Sequence, residues 1–240
     1  MTDRLKLLYN EIDIWKFLNH NNICKLYQII DDPDDQQIHL IMQYCDLSQI
    51  MNWNEENLQY NPNTKMEQFI IQAYNIQINS KIIFKQISQG VKYLHDSNIV
   101  NRDIKIDNIL CKSDCDLNEH FKLADFSTAK KIQNNEYLFD CAGTPGFRGP
   151  EHQFSVDKGY DGKKSDIWSL GISIYTYVNL KLPFWKNSEF ETDLASLNDE
   201  IQFRNENSNE FKDLINKMCQ KEQQNRINID EVLQDKWFDF

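Results

Sequence analysis

A carboxylate, a cation and an amide lie close together in one short polar run of the chain. Asp103 is followed by Lys105 two residues later and by Asn108 five residues later, between apolar pairs at 99–100 and 109–110. Phosphoryl transfer needs a carboxylate that orients the attacking hydroxyl, a cation near the transferred group and an oxygen ligand for magnesium. These side chains supply that set from one loop. Alone, however, an R-D-x-K run is more often a solvated turn.

Further motifs follow this loop in a fixed order, and together they change the interpretation. They are Asp125-Phe126-Ser127, the run G-T-P-G-F-R-G-P-E at 143–151, the run D-I-W-S-L-G at 166–171, and Arg226. In this order they resemble the motifs of eukaryotic-type serine/threonine protein kinases, and the resemblance extends from Glu11 to Phe238. Three positions depart from the kinase pattern. Asn101 replaces the His of H-R-D, Ser127 replaces the Gly of D-F-G, and Gly149 replaces the Ala of A-P-E.

The resemblance implies an α+β, bilobal kinase-like fold. Residues 1–45 would form a truncated small lobe with one helix and two strands, and residues 46–240 a complete, mainly helical large lobe. The implied cofactors are ATP and Mg²⁺. The I-D-D-P run at 30–33 and the G-T-P segment look closest to kinases of the calmodulin-dependent-kinase-kinase type. The expected partners are therefore protein substrates, including other kinases.

The resemblance also implies a role for each matched residue. The residues expected to act in catalysis are Asp103, Lys105, Asn108 and Thr144, where Thr144 bridges Asp103 and Lys105. The residues expected to bind ATP are Glu11, Met42, Gln43, Tyr44, Cys45, Leu110 and Asp125, and magnesium is expected on Asn108 and Asp125. The residues expected to have regulatory or structural roles are Arg102, Phe126, Asp140, Glu151, Asp166 and Arg226.

Three of the structural expectations concern specific pairs. Asp166 is expected to support the backbone of the catalytic loop. Arg226 is expected to form a buried ion pair with Glu151. Asp140 lies three residues before Gly143, where the family usually has a phosphothreonine held by the arginine at position 102. A fixed carboxylate there is predicted to order the segment partly without phosphorylation.

The elements that must position these residues follow from apolar periodicity. Residues 3–19 are predicted to form an amphipathic helix, and residues 23–30 and 37–44 two strands separated by an acidic turn at 31–35. Residues 52–65 are predicted to be a loop, and 66–79 either a helix or an insertion. A long helix is predicted at 80–97, short strands at 108–112 and 120–124, and a buried helix from Asp166 onward.

Composition limits the possible partners and compartments. The 240 residues carry a net charge of −11, which disfavours a nucleic-acid partner. No apolar run approaches the roughly 20 residues of a membrane span, and no secretory signal is apparent. Six scattered cysteines suggest reduced thiols in a cytosolic or nuclear protein. Cys111, Cys115 and His120 lack the paired spacing of a structural zinc site.

Two parts of a complete kinase are not present in these 240 residues. No G-x-G-x-x-G loop and no V-A-I-K strand precede Glu11. We expect an incomplete chain, with transcript sequence upstream of Met1 that continues in frame into both motifs. Three alternatives remain: a pseudokinase-like scaffold that binds partners through its large lobe, a short chain that is itself active, and a function other than that of a kinase.

Overall fold

The computed structural model describes residues 3–32, 37–74, 80–116 and 119–239. Its helices are α1 (Asp3–Trp15), α2 (Thr64–Tyr74), α3 (Ser80–Asp96), α4 (Ser155–Lys158), α5 (Gly162–Asn179), α6 (Glu189–Asn198), α7 (Asn209–Met218) and α8 (Ile229–Leu233). Its strands are β1 (Leu26–Asp31), β2 (Ile38–Met42), β3 (Met51–Asn54), β4 (Gln59–Pro62), β5 (Ile99–Val100), β6 (Ile109–Cys111), β7 (Phe121–Leu123), β8 (Lys130–Lys131), β9 (Tyr137–Leu138) and β10 (Tyr160–Asp161). Much of the predicted acidic turn and residues 75–79 lie outside the described residues.

The strands form small antiparallel pairs instead of one large sheet. The pairs are β1 with β2, β3 with β4, β5 with β8, β6 with β7, and β9 with β10. Helices pack around and between these pairs. This mixed architecture confirms the predicted α+β fold. None of the helices in the described ranges is long and apolar enough to span a membrane.

Helix α5 lies in the hydrophobic core, where it packs against α3 and α7. Every side chain from residue 165 to 176 is buried, as its apolar sequence predicts. The Asp161 side chain caps the helix by accepting the N–H groups of Lys163 and Lys164 at 2.9 and 3.2 Å. A Cβ at Gly171 would lie 2.8 Å from the sulfur of Cys219. Glycine therefore allows α5 to pack closely against the end of α7.

The elements around the polar loop agree closely with prediction. The long helix is confirmed as α3, and the two short strands are confirmed as β6 and β7. Strand β1, however, begins at Leu26 and not at residue 23. The backbone of Leu123 instead pairs with the carbonyl of Asn22 and the N–H of Cys24, both at 2.9 Å. Residues 22–24 thereby extend the β6–β7 pair.

Helix α1 is shorter than predicted. It ends at Trp15, whereas the periodicity predicted residue 19. The backbone N–H groups of Phe17 and Leu18 bond the carbonyls three residues earlier, at 3.2 and 3.0 Å, so the chain tightens into a turn. The indole N–H of Trp15 donates to the Cys24 carbonyl at 2.6 Å. This long-range bond anchors the helix end.

The prediction of a loop at 52–65 is wrong. Strands β3 and β4 form a hairpin there, and α2 already begins at Thr64. The Asn54 side chain accepts the N–H of Glu56 at 2.9 Å, which stabilises the turn. Trp53 lies opposite Tyr60 across the hairpin, with ring centroids 5.0 Å apart. Tertiary burial of Tyr60, which is 4% exposed, outweighs the low strand propensity of this polar sequence.

Candidate active site

A carboxylate from the core helix holds the loop that follows β5. Asp166 lies fully buried on α5, and its oxygens accept the backbone N–H groups of Asn101 at 2.9 Å and Arg102 at 2.8 Å. Nε2 of His95 lies 3.0 Å from the same carboxylate. Arg102 has a φ of 68°, which is uncommon for a residue with a side chain. These bonds fix the turn immediately before Asp103.

The carboxylate of Asp103 lies at the centre of a compact polar network. Its Oδ1 accepts the Thr144 backbone N–H at 2.9 Å and the Thr144 hydroxyl at 2.7 Å. Its Oδ2 lies 2.9 Å from Nζ of Lys105, which also donates to the Thr144 hydroxyl oxygen at 2.7 Å. Asp103 is 8% exposed. The structure therefore brings together three of the residues expected to act in catalysis around one carboxylate.

Asn108 and Asp125 present the oxygen atoms from which a magnesium site would be built. Nδ2 of Asn108 donates to the Asp103 carbonyl at 3.0 Å, which leaves the amide oxygen without a partner among the described residues. Oδ1 of Asp125 accepts the N–H of Ser127 at 3.1 Å and its hydroxyl at 2.7 Å. Oδ2 of Asp125 accepts no bond in the same described part. Magnesium is usually held by one or two protein oxygens, with phosphates and water completing its shell, so these residues fit the ion.

Asn101 connects the two halves of this site. The residue is completely buried, its Nδ2 donates to the Asp125 carbonyl at 3.0 Å, and its Oδ1 accepts the Asp103 N–H at 3.1 Å. The Asn101 carbonyl accepts the hydroxyl of Thr128 at 2.9 Å. The departure from His at this position therefore leaves no polar atom of the amide unsatisfied. Sequence comparison identified the departure but not this connecting role.

Helix α1 contacts the site through Trp15, which packs against Phe126, and through Glu11. Phe126 is fully buried, and its ring centroid lies 5.7 Å from that of Trp15. Burial and, to a lesser degree, the negative charge of Asp125 raise the pKa of Glu11. Among the described residues no Lys or Arg side chain pairs with Glu11. The Glu11 carboxylate on α1 therefore interacts with the Asp125 carboxylate, and no cation of the described residues pairs with Glu11.

The residues expected around adenine lie where β2 leaves its sheet. Met42 and Tyr44 are 40% and 80% exposed, whereas Cys45 is buried and Leu110 half-buried on β6. The N–H of Gln43 donates to the Lys25 carbonyl at 2.8 Å and is therefore already used. The N–H groups of Tyr44 and Cys45 have no acceptor among the described residues. Among the described residues, these two N–H groups are therefore backbone donors that remain unpaired.

Arg102 connects the loop that contains Asp103 to two later positions in the chain, one before β8 and one after β9. Its Nε donates to the Thr128 carbonyl, and its Nη1 to Oδ2 of Asp140, both at 2.6 Å. Partial burial favours the neutral form of Asp140. The hydrogen bond and charge of Arg102 outweigh this effect and lower the pKa of the carboxyl. The structure therefore pairs the two residues that the sequence analysis associated.

The predicted ion pair of Glu151 and Arg226 is buried. Nη1 and Nη2 of Arg226 reach the two Glu151 oxygens at 2.7 and 2.6 Å. Burial alone would raise the pKa of Glu151, but the arginine lowers it. A Cβ at position 149 would lie 2.4 Å from a Glu151 oxygen. The glycine at this position therefore leaves room for the ion pair.

Two further contacts near the site were not predicted. The hydroxyl of Tyr60 in β4 donates to Oδ2 of Asp107 at 2.8 Å, which attaches the β3–β4 hairpin to the loop that contains Asp103. Arg148 forms a two-point ion pair with Asp193 on α6, and its Nε lies 3.0 Å from Oδ1. Tyr60 and Asp193 are distant in sequence from the residues they contact and belong to no motif. No local pattern could have identified them.

The cysteines near β6 do not assemble a metal site in the described part of the chain. The sulfur of Cys115 lies 3.2 Å from Nδ1 of His120. Among the described residues, no group of three or more His, Cys, Asp or Glu side chains could hold a metal ion.

Comparison with known proteins agrees with this geometry. The family model described as "Protein kinase domain" matches residues 1–238. Serine/threonine-protein kinase TOS3 of Saccharomyces cerevisiae is 30% identical over 92% of this chain and 42% of its own length. Serine/threonine-protein kinase par-4 of Caenorhabditis briggsae is 29% identical over 95% of this chain and 33% of its own length.

A third relative is covered more completely. A protein of Acanthamoeba polyphaga mimivirus, whose name also contains serine/threonine-protein kinase, is 32% identical over 95% of this chain and 77% of its own length. By contrast, the chain spans less than half the length of the yeast and nematode relatives.

Proposed function

The chain belongs to the protein kinase domain family, and from this premise we propose that it transfers the γ-phosphate of ATP to serine and threonine hydroxyls of proteins. The observation that carries the proposal is the Asp103 carboxylate, held between Thr144 at 2.7 Å and Lys105 at 2.9 Å. A positioned carboxylate beside a cation is the arrangement that phosphoryl transfer requires. Substrates that are themselves kinases are part of the proposal.

Asp103 orients the acceptor hydroxyl and takes its proton. The hydroxyl oxygen forms a bond to the γ-phosphorus, and the bond between that phosphorus and the β–γ bridging oxygen breaks, which releases ADP. The two hydrogen bonds from Thr144 occupy Oδ1 of Asp103. They orient the carboxylate so that Oδ2, on the side of Lys105, faces the substrate. Positioning before the reaction is the main contribution of the protein to this chemistry.

Lys105 supplies positive charge where negative charge accumulates. Its Nζ lies within hydrogen-bonding distance of both Asp103 and Thr144, so the ammonium group is fixed before substrate binds. A fixed cation stabilises the transferred phosphoryl group without the cost of reorganising solvent. A lysine two residues after the catalytic aspartate resembles the serine/threonine class rather than the tyrosine class. This position supports the proposed choice of acceptor.

Asn108 and Asp125 are proposed to hold magnesium with the phosphates of ATP. When bound, the ion neutralises charge on the β- and γ-phosphates and aligns the leaving group. Ser127 holds one oxygen of Asp125, and Asn101 holds the Asp125 backbone. These bonds orient the remaining oxygen. Ser127 and Asn101 thus compensate locally for the two departures from the family pattern nearest the site.

The acceptor class is tested by analysis of the product. The protein, expressed from its full transcript, is incubated with magnesium, ATP radiolabelled at its γ-phosphate, and a mixed peptide library containing Ser, Thr and Tyr. We expect label on phosphoserine and phosphothreonine after acid hydrolysis. Label confined to phosphotyrosine would contradict the proposed acceptor. No label above that of a control with labelled ATP and without the protein would contradict the proposed activity and favour a scaffold.

A further inference from the structure

A surface groove of about 490 Å³ lies between α6 and the segment that follows α5. Trp185, Leu194 and Ala195 supply its apolar lining. Trp185 and Leu194 are 40% and 41% exposed, which is high for large apolar side chains. Exposed apolar surface concentrated in a concave site, with polar residues around it, is typical of a binding surface.

The groove is continuous with the segment that reaches Asp103. Thr144 contacts Asp103, and Gly146 lies only two residues further along the chain. A Cβ at Gly146 would lie 3.5 Å from the Trp185 ring, so this segment passes directly over the wall of the groove. A peptide whose hydroxyl lies at Asp103 can therefore reach the groove within a few residues, since an extended residue spans about 3.3 Å.

An ion pair holds the two sides together. Arg148, in the same segment, bonds both carboxylate oxygens of Asp193 on α6, and the Gln153 side chain donates to the Asp193 carbonyl. Arg148 and Asp193 are 16% and 18% exposed, so the pair is largely screened from water. The groove is thus a preformed feature with fixed walls, which lowers the entropy cost of binding.

The charges around the groove select for a basic occupant. Glu191 lies in the lining and Glu189 precedes it at the start of α6. Among the described residues neither carboxylate forms an ion pair within hydrogen-bonding distance, and Glu189 interacts with Arg148 only through its charge. Lys186, the cation in the lining, is paired with Asp199 at 3.0 Å. With a net charge of −11 for the whole chain, the local field favours positively charged segments.

We propose that this groove binds a segment of the protein substrate that carries one large apolar side chain beside Lys or Arg residues. The apolar side chain contacts Trp185 and Leu194, and the basic residues pair with Glu189 and Glu191. In such binding sites a central apolar side chain usually supplies most of the affinity, and charges at the rim supply the selectivity. The inference rests on the proposed kinase function for the identity of the occupant, and it specifies the substrate class.

Direct binding separates this inference from the activity itself. The probes are fluorescein-labelled 14-residue peptides with one Ser and a Leu-Arg-Arg run placed two to six residues from it on either side. Matched peptides carry Ala for Leu, or Glu for both Arg. We expect the best Leu-Arg-Arg peptide to bind at least tenfold more tightly by fluorescence anisotropy than either matched peptide. Equal affinity, or no binding of any peptide at 1 mM protein sites, would overturn the proposal.

Variants locate the binding. Leu194→Asp and Glu191→Lys should each weaken binding of the best peptide at least fivefold. The controls Val156→Asp and Glu206→Lys make the same changes at exposed positions outside the lining and should leave affinity unchanged. Glu191 is exposed, so its variant tests the proposal even if Leu194→Asp does not fold. Unchanged binding in Glu191→Lys would overturn the site.

The outcomes distinguish the two proposals. Selective binding without phosphate transfer would retain the groove and contradict the proposed function. Transfer to serine without any preference for the Leu-Arg-Arg peptides would retain the function and overturn the groove.

Discussion

At the scale of single residues, Arg102 links the loop that contains Asp103 to the segment that carries Thr144. The guanidinium bonds the Thr128 carbonyl and the Asp140 carboxylate, both at 2.6 Å. Arg102 is 10% exposed, whereas Asp140 is 56% exposed. The pair is therefore only partly protected from water. A carboxylate has one charge where a phosphate has nearly two, so we expect partial and permanent ordering of the segment.

Asp140→Asn tests this permanent ordering. The protein is first treated with phosphatase, and we expect it to remain active because Asp140 needs no modification. The variant should then lose roughly two- to fivefold in kcat/KM, which corresponds to the upper range of partly exposed ion pairs, about 0.5–1 kcal/mol. Asp157→Asn, at an exposed position on α4, is the control. Loss of all activity on phosphatase treatment, or an unchanged Asp140→Asn, would contradict the account.

The pair has a defined pH dependence. Because the pKa of Asp140 is lowered in the folded protein, its contribution to stability is complete above the unfolded-state pKa. The contribution is lost as the pH falls through the lower, folded-state pKa. The Asp140→Asn effect on activity should therefore persist at neutral and mildly acidic pH.

At the scale of elements, α1 brings the Glu11 carboxylate close to Asp125. Burial and the Asp125 charge raise the pKa of Glu11, so the folded state favours the protonated form. A raised carboxyl pKa costs stability at neutral pH. This cost decreases as the pH falls through the folded-state pKa and is gone below the unfolded-state pKa, where the group is protonated in both states. The element that contributes Glu11 to the site is therefore destabilised by that residue.

Glu11→Gln should raise the melting temperature at pH 7 and have a much smaller effect near pH 4. Glutamine removes the charge and keeps the shape of the side chain. Asp13→Asn, on the exposed side of α1, is the matched control and should have little effect at either pH. If Glu11→Gln lowers the melting temperature at pH 7, a cation pairs with Glu11 in the protein.

The sequence predicts some elements better than others. Elements defined by local patterns are predicted, whereas elements that depend on residues distant in sequence are not. Helix α3 follows from periodicity because one face of it is buried, and strands β6 and β7 follow from short apolar-rich runs that are almost entirely buried. The β3–β4 hairpin does not, because its sequence is polar and its stability depends on distant partners. Tyr60 donates its backbone N–H to the Leu180 carbonyl at 2.8 Å and its hydroxyl to Asp107. No local pattern encodes those contacts.

In the site, too, the local motif is predicted, whereas contacts with a second segment are not. The spacing of Asp103, Lys105 and Asn108 predicts their common loop, and the structure gathers their polar atoms within one network. The compensating roles of Asn101 and Ser127 were not predicted. Each depends on the exact path of a second segment, and a motif comparison registers only that the residue type differs.

At the scale of the whole molecule, the buried pair of Arg226 and Glu151 joins the segment after Gly143 to the chain between α7 and α8. The side chains are 0% and 6% exposed. Arg226 also donates to the carbonyls of Gln220 and Lys164, at 2.8 and 3.1 Å. Removing one partner leaves the other charge buried without compensation, which is much more costly than losing an exposed pair.

Arg226→Met should lower the free energy of unfolding by about 3–5 kcal/mol in urea denaturation. The double variant Glu151→Met, Arg226→Met should lose less, because no unpaired charge remains. Lys186→Met removes a partner from the half-exposed pair with Asp199 and should cost at most about 1 kcal/mol. A loss below 1 kcal/mol in Arg226→Met would show that the pair does not contribute to the stability of the fold.

The rate of phosphate transfer in Asp103→Asn tests the central claim most directly. The wild-type protein and the variant, both expressed from the full transcript, are compared with magnesium, ATP and a serine peptide, with Asp157→Asn as the matched exposed control. Asparagine preserves the shape of the side chain but can neither accept the proton nor provide the charge. We expect a loss of roughly 100- to 10,000-fold in kcat, with the control unchanged. Equal rates in the wild type and Asp103→Asn would contradict the assignment of Asp103 as the catalytic base.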